Sequence, residues 1–257
     1  MRCAALDPAA PARRARRAFA AAALAASCTP LAHAHALPEP LPAAASAVLA
    51  RRFPQLHVLS HASGALHADG AHDIAVVLGR GERGVRVVSV LWSEAGGGFR
   101  FADASGDVAA ACPGCDVAVR VIGRPGDAVR EAAPGRGPER VLEVSTSDPG
   151  DTVASVRTWR FAYRGAKGDV LRLVGVRNEQ ISRGDGDAVV DNVASTDLLT
   201  GAKVDVIEGD RHGHRQRLEA DTRVPLRQPI LFDQFSFDFK GGAAETRFVF
   251  GRDFERR

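Results

Sequence analysis

Two cysteines separated by Pro113 and Gly114, Cys112 and Cys115, are the most reactive pair this sequence offers. A C-x-x-C pair does thiol–disulfide chemistry when it opens a helix, whose N-terminal dipole lowers a thiol pKa. Here Pro-Gly favours a turn, and Asp116-Val117-Ala118-Val119-Arg120-Val121 alternates like a strand. A local disulfide clip is therefore expected, with redox work as its rival. The histidines come next. His57 and His61 lie four apart on an expected strand, on one face but about 13 Å apart at ~3.3 Å per residue, too far to share a metal. His67, His72, His212 and His214 have nearby acids but no helical i, i+4 spacing with a third ligand, so ordinary exposed histidines are expected and no metal. Neither a Gly-x-Ser-x-Gly elbow nor His-Glu-x-x-His occurs. A hydrolase would have to assemble its site from loops such as Gly123–Pro138 and Asp210–Asp221, with His212 or His214 as base. No catalytic residue and no cofactor site is assigned.

Gly79-Arg80-Gly81-Glu82-Arg83-Gly84 is a literal G-x-G-x-x-G after an apolar strand. A dinucleotide site needs a helix next, because the helix N-terminus holds the pyrophosphate. Val85-Arg86-Val87-Val88-Ser89-Val90 is a strand pattern instead, so the glycines read as a hairpin turn. Arg183-Gly184-Asp185 mimics an adhesion tripeptide inside a Gly- and Asp-rich run and reads as a turn.

The 257 residues carry 34 basic and 31 acidic side chains, a net charge of +3. Setting aside the five arginines and one aspartate of residues 1–34 leaves −1 for residues 35–257. A near-neutral body has no electrostatic footprint for phosphate backbones, which excludes a nucleic-acid partner. With 45% hydrophobic and 25% charged residues, a packed fold is expected.

The first residues have the three parts of an export signal: Arg13-Arg14-Ala15-Arg16-Arg17, the apolar run 18–28, and small residues around Ala34 and Ala36 for cleavage. The run is too short for a membrane span, which needs about 20 residues. A periplasmic or secreted address follows, with a lipoprotein anchored through Cys28 as the alternative. Cys3 and Cys28 leave with the leader, and an oxidising compartment favours joining Cys112 to Cys115.

The elements that must position these residues are mostly strands. A short Ala-rich helix is expected over Ala43–Arg52, ended by Pro54. Strands are expected over 56–60, 73–78, 85–92, 99–101, 116–121, 141–146, 170–176 and 203–207, with a helical turn over 104–111. Trp159, Phe161 and Tyr163 alternate with Arg160, Ala162 and Arg164, so the aromatics share a core-facing side. Phe235-Ser236-Phe237-Asp238-Phe239 and Arg247-Phe248-Val249-Phe250 flank Gly241-Gly242 as a hairpin would. The fold class expected is mainly β, antiparallel sheets arranged as a sandwich or partial propeller, with one short N-terminal helix. The domain plan is a cleaved leader (1–34), a linker and short helix (35–54), and one β-rich domain (55–257) with a mobile loop near 123–138.

Gly64, Leu66, Asp69, Gly70 and Asp73, followed by an apolar strand, resemble the FG-GAP/VCBS-type repeat loop, which departs here at Ala65 and His67. Two carboxylates are too few for calcium, so the loop is a degenerate one. With Trp159–Arg164, Gly168–Gly175 and Ser195–Lys203 in the same order, residues 50–210 look like a group of uncharacterised bacterial exported proteins. The resemblance implies a fold and an address. The function expected is an exported, non-enzymatic binding or structural module of the bacterial envelope. An envelope hydrolase and a C-x-x-C thiol–disulfide protein are its alternatives, and another envelope protein is the kind of partner to seek.

Overall fold

The structure is a computed structural model that describes residues 40–67, 72–81, 84–109, 112, 114–122, 140–150, 153–164, 170–183, 189–211, 214–225 and 228–236. The chain divides into two compact units, Met1–Leu37 and Pro38–Arg257, and every described residue lies in the second. The expected leader, Cys28, Ala34, Ala36, the expected 123–138 loop, Asp69, His212, Gly184-Asp185 and the expected hairpin over 237–250 lie outside the described residues.

Helix α1 covers Ala43–Arg52, the span expected from its alanines and from Pro54. Ala45 and Leu49, one turn apart, are its buried residues. They pack on Ile74, Val76, Leu78 and Leu91, with Phe53 and Phe101 at the margin. Arg51 and Arg52 close the last turn, where positive charge suits the helix dipole. The Arg52 guanidinium lies 4.8 Å above the Phe101 ring.

Strands β1 (His57–Gly64), β2 (Asp73–Gly79), β3 (Arg86–Ser93) and β4 (Phe99–Asp107) form one antiparallel sheet in chain order. β2 is buried along its whole length. Its even-numbered Ile74, Val76 and Leu78 face α1, and Ala75 and Val77 face the other way. A period-2 strand buried on both sides must be apolar at every position, which explains its unbroken run. The Gly79–Gly84 stretch is the β2–β3 hairpin turn. Gly81 takes φ +69°, and the Arg80 N–H donates to the Val85 carbonyl at 3.3 Å.

A second antiparallel sheet holds β5 (Asp116–Ile122), β6 (Val141–Asp148), β7 (Val153–Arg164), β8 (Val170–Arg183), β9 (Val189–Asp197), β10 (Ala202–Arg211) and β11 (His214–Arg223), again in chain order. Leu142, Val144, Trp159, Phe161, Leu171, Leu173 and Val176 on its inner face meet Ala75, Val77, Val88 and Val90. The result is helix on sheet on sheet, with one core on each side of the first sheet. The aromatic stripe of β7 faces the sandwich core as its alternation requires.

The two sheets are tied on both flanks. On one, β1 runs close to β5, and a Cβ at Gly64 would fall 2.6 Å from Val121 Cγ1. On the other, the segment 228–236 crosses from sheet to sheet. The Leu173 N–H donates to Ile230 O at 2.9 Å, a short 3-10 helix follows (Phe232–Gln234), and the Gly106 N–H on β4 donates to Phe235 O at 2.8 Å. Phe232 and Phe235 drop between the sheets, and their rings lie 4.9 and 5.0 Å from Phe161.

Four sequence expectations need correction. Residues 104–107 continue β4 and are not helical, because β3 supplies register partners as far as Asp107; only Val108 and Ala109 turn. Asp210–Asp221 is not one loop: among its described residues, Asp210 and Arg211 end β10 and His214–Asp221 lie on β11, paired with β10. β9 occupies residues left without an element in the expected plan. His57 and His61 do not share a face. The register slips between Val58 and Ser60, so His57 pairs with Gly79 and His61 with Val76. Cross-strand partners share a face, and residues three apart on β2 point opposite ways.

Candidate functional site

Asp73 begins β2 and is fully buried. Its Oδ2 accepts the Leu66 and His67 backbone N–H groups, each at 2.9 Å, and the His67 ring Nδ1–H at 2.8 Å. Its Oδ1 accepts the Ser93 N–H at 3.0 Å and the Ser93 hydroxyl at 3.3 Å. Five donors therefore converge on one carboxylate, from the exit of β1 and the end of β3. Burial is the largest single influence on this group and pushes its pKa up. The hydrogen bonds from His67, Ser93 and Leu66 outweigh it and hold the carboxyl below its ordinary value.

An ionised carboxylate only accepts, so the imidazole proton sits on Nδ1. His67 is not the exposed residue its sequence surroundings suggest. Its side chain is 14% exposed, and its ring stacks on Trp92 at 4.7 Å and 18°. Arg140 donates to its carbonyl. Trp92 Nε1–H donates to the Tyr163 hydroxyl at 2.8 Å, and the Arg100 guanidinium lies 4.0 Å from the Trp92 ring centre. Tyr163 is partly buried, and desolvation pushes its phenol pKa well up despite the Trp92 hydrogen bond. Asp103 on β4 is raised to about 6, first by burial and then by the charge of Asp233, against the Ala104 N–H that it accepts.

A buried carboxylate on Nδ1 is how an acid–base histidine is oriented, leaving Nε2 to work. Such a dyad needs a nucleophile or substrate hydroxyl within reach of Nε2. Among the described residues, no serine, threonine or cysteine side chain bonds to it. The arrangement instead joins β1, β2, β3 and β7 through one hydrogen-bonded aromatic chain. Both oxygens of Asp73 are taken by protein donors.

Comparison with family models, curated proteins and solved structures finds no match to this chain.

Three other polar groupings carry charge. Glu143 on β6 is bracketed on the sheet's outer face. Arg120 gives it Nε and Nη2 bonds of 2.9 and 2.7 Å, and Arg160 an Nε bond of 2.9 Å. Lys203 and Asp205, two apart on β10, share one face and form a buried pair at 3.3 Å. On the outer face of β8–β11, Asp191 is raised by burial and by Glu179 and Glu208.

Cys112 and Cys115 are paired, with their Cα atoms 5.4 Å apart, across a turn closed by the Cys115 N–H on Cys112 O. Strand β5 follows at once, not a helix. Asp148 at the end of β6 lies beside the sulfurs. Two sulfurs bonded to each other offer no thiolate, so this trio is not a cation site as it stands. A groove of about 400 Å³ lined by Ala202, Lys203, Val204, Asp221, Thr222 and Arg223 belongs to the second sheet, whereas His67 hangs on the first. No helix among the described residues is long and apolar enough to cross a membrane.

Of the histidines singled out by sequence, His57 and His72 are exposed and His61 is partly buried. His214 begins β11. Among the described residues, His67 is the histidine that the structure gathers into a constellation. Its partners Trp92 and Tyr163 come from β3 and β7, and no local spacing links them.

Proposed function

We propose that this protein is an exported module of the bacterial envelope that binds or braces a partner and performs no chemistry of its own. The observation that carries the reading is the saturation of Asp73. Among the described residues, the constellation built like a catalytic dyad commits its carboxylate to five internal donors and its imidazole to an indole stack. Charge at Glu143 is likewise consumed between neighbouring strands. Sheet faces and strand edges are then the surfaces left for work. The export part of the proposal rests on the arginine cluster, the short apolar run and the small residues near Ala34 and Ala36.

Expression of the full chain in a bacterial host, with cell fractionation and mass measurement of the mature N-terminus, tests the address. Export predicts periplasmic or secreted protein beginning after Ala34 or Ala36. Full-length protein retained in the cytoplasm contradicts it.

A further inference from the structure

β11 is the terminal strand of the seven-stranded sheet. It pairs with β10 from His214 to Arg223, and among the described residues no strand lies on its other side. Between Gln216 and Arg223, all residues but Leu218 and Ala220 are exposed. Arg217, Glu219 and Asp221 share the outer face, because Arg217 pairs with Glu208 and Glu219 with Val206. Leu218 lies on the opposite face, opposite Ile207. The Arg217 and Glu219 side chains are 58% and 50% exposed, and they bond to each other at 3.1 Å.

Charged edge strands usually discourage pairing, because an arriving strand meets like charge. Between positions 215 and 221 the charges are sorted by sign: Arg215 and Arg217 precede Leu218, Glu219 and Asp221 follow it, and Arg223 stands beyond them at the strand's end. A two-fold axis normal to a sheet keeps each residue on its own face, so it must pass through a residue position. Centred on Leu218, it sets Arg217 of each copy opposite Glu219 of the other, and position 215 opposite Asp221. Centred on Arg217 or Glu219, it sets that charge against itself. Centred on Gln216 it opposes Arg215 to Arg217, and centred on Ala220 it opposes Glu219 to Asp221. One register is attractive throughout, and its neighbours are each penalised.

We propose that β11 is a homodimerisation edge. Two copies join antiparallel about Leu218 into one continuous sheet, and reciprocal Arg217–Glu219 pairs set the register. The partner is a second copy of this chain, and the inference holds wherever the chain resides. An edge-to-edge strand pair is a small interface, so the dimer is a weak one that forms with rising concentration.

The test is sedimentation of the full chain across concentration, for wild type, R217E, E219R and a mixture of the two variants. Wild type should dimerise, less so in high salt. Each variant alone should raise the dissociation constant about tenfold or more, because like charges then face each other twice. Mixed in equal amounts, the variants should associate with each other, since positions 217 and 219 are then both acidic on one copy and both basic on the other. That rescue does not depend on contacts within a chain, and melting of each variant at low concentration checks its fold. A wild type that stays monomeric up to about 500 µM, a dimer indifferent to R217E and E219R, or variants that do not recognise each other would each overturn the proposal.

Discussion

His67 and Asp73 lie six residues apart in sequence, and a 2.8 Å hydrogen bond from the imidazole to the carboxylate closes the turn between β1 and β2. The same carboxylate reaches Ser93 at the end of β3, so one side chain fixes three strand ends. The relationship has the form of a catalytic dyad and the connectivity of a latch. Asp73→Asn swaps an all-acceptor group for one that must aim an NH2 at existing donors. The expected loss is about 2–4 kcal/mol of stability, read by urea denaturation. His67→Ala should cost less, about 1–2 kcal/mol, and the two changes should be strongly non-additive in a double-mutant cycle.

Asp103 and Asp73 predict opposite responses to pH. Asp103 is raised to about 6 in the fold, above its unfolded value near 3.8, so between those limits the folded state binds more protons. Stability from this group therefore falls as pH rises from about 4 to about 6. Asp73 is held low, so its contribution is complete above the unfolded carboxylate pKa and is lost as pH falls through the folded one. Asp103→Asn keeps an acceptor for the Ala104 N–H and removes the charge. The variant should gain stability relative to wild type at pH 7, and the gain should vanish near pH 4. Denaturant melts at the two pH values measure it.

Glu143 separates a buried from an exposed ion pair. Its side chain is 9% exposed, while Arg120 is 70% and Arg160 31% exposed. Arg120→Ala should cost about 0–1 kcal/mol, as solvated pairs do. Glu143→Ala should cost more, about 1–3 kcal/mol, because it removes a largely buried carboxylate together with its bonds to both Arg120 and Arg160.

The crossing segment 228–236 should behave as part of the core. Phe232→Ala removes a ring packed on Phe161 and should cost about 3–5 kcal/mol. It should also speed hydrogen exchange at the Gly106 amide, which donates to Phe235 O at the segment's end. Unchanged exchange there would mean that the segment is held by something other than its phenylalanines.

Helix α1 and β2 were legible in the sequence because their causes are local: an alanine run stopped by Pro54, and an apolar strand bracketed by Asp73 and Gly79. The aromatic face of β7 was legible for the same reason, a clean period of two. β9 and β11 were not. Val189–Asp197 and His214–Arg223 are rich in polar residues, and their extended state is set by neighbours in register. The faces of His57 and His61 turned on one bulge, which shifts every later side chain without marking the composition. Of the site, the sequence showed His67 as a loop residue, Asp73 as the first residue of a strand, and Trp92 and Tyr163 as strand residues. Their meeting depends on the packing of two sheets, and no spacing within one segment encodes it.

We propose that the His67–Asp73 pair serves the fold and not a reaction. The most direct test is a multiple-turnover screen of purified mature protein against ester, amide, glycoside and phosphoester substrates, with His67→Ala beside it. Wild type should show no saturable conversion, and the variant a measurable loss of stability. Saturable turnover by wild type, abolished in a His67→Ala protein that still melts cooperatively, would contradict it.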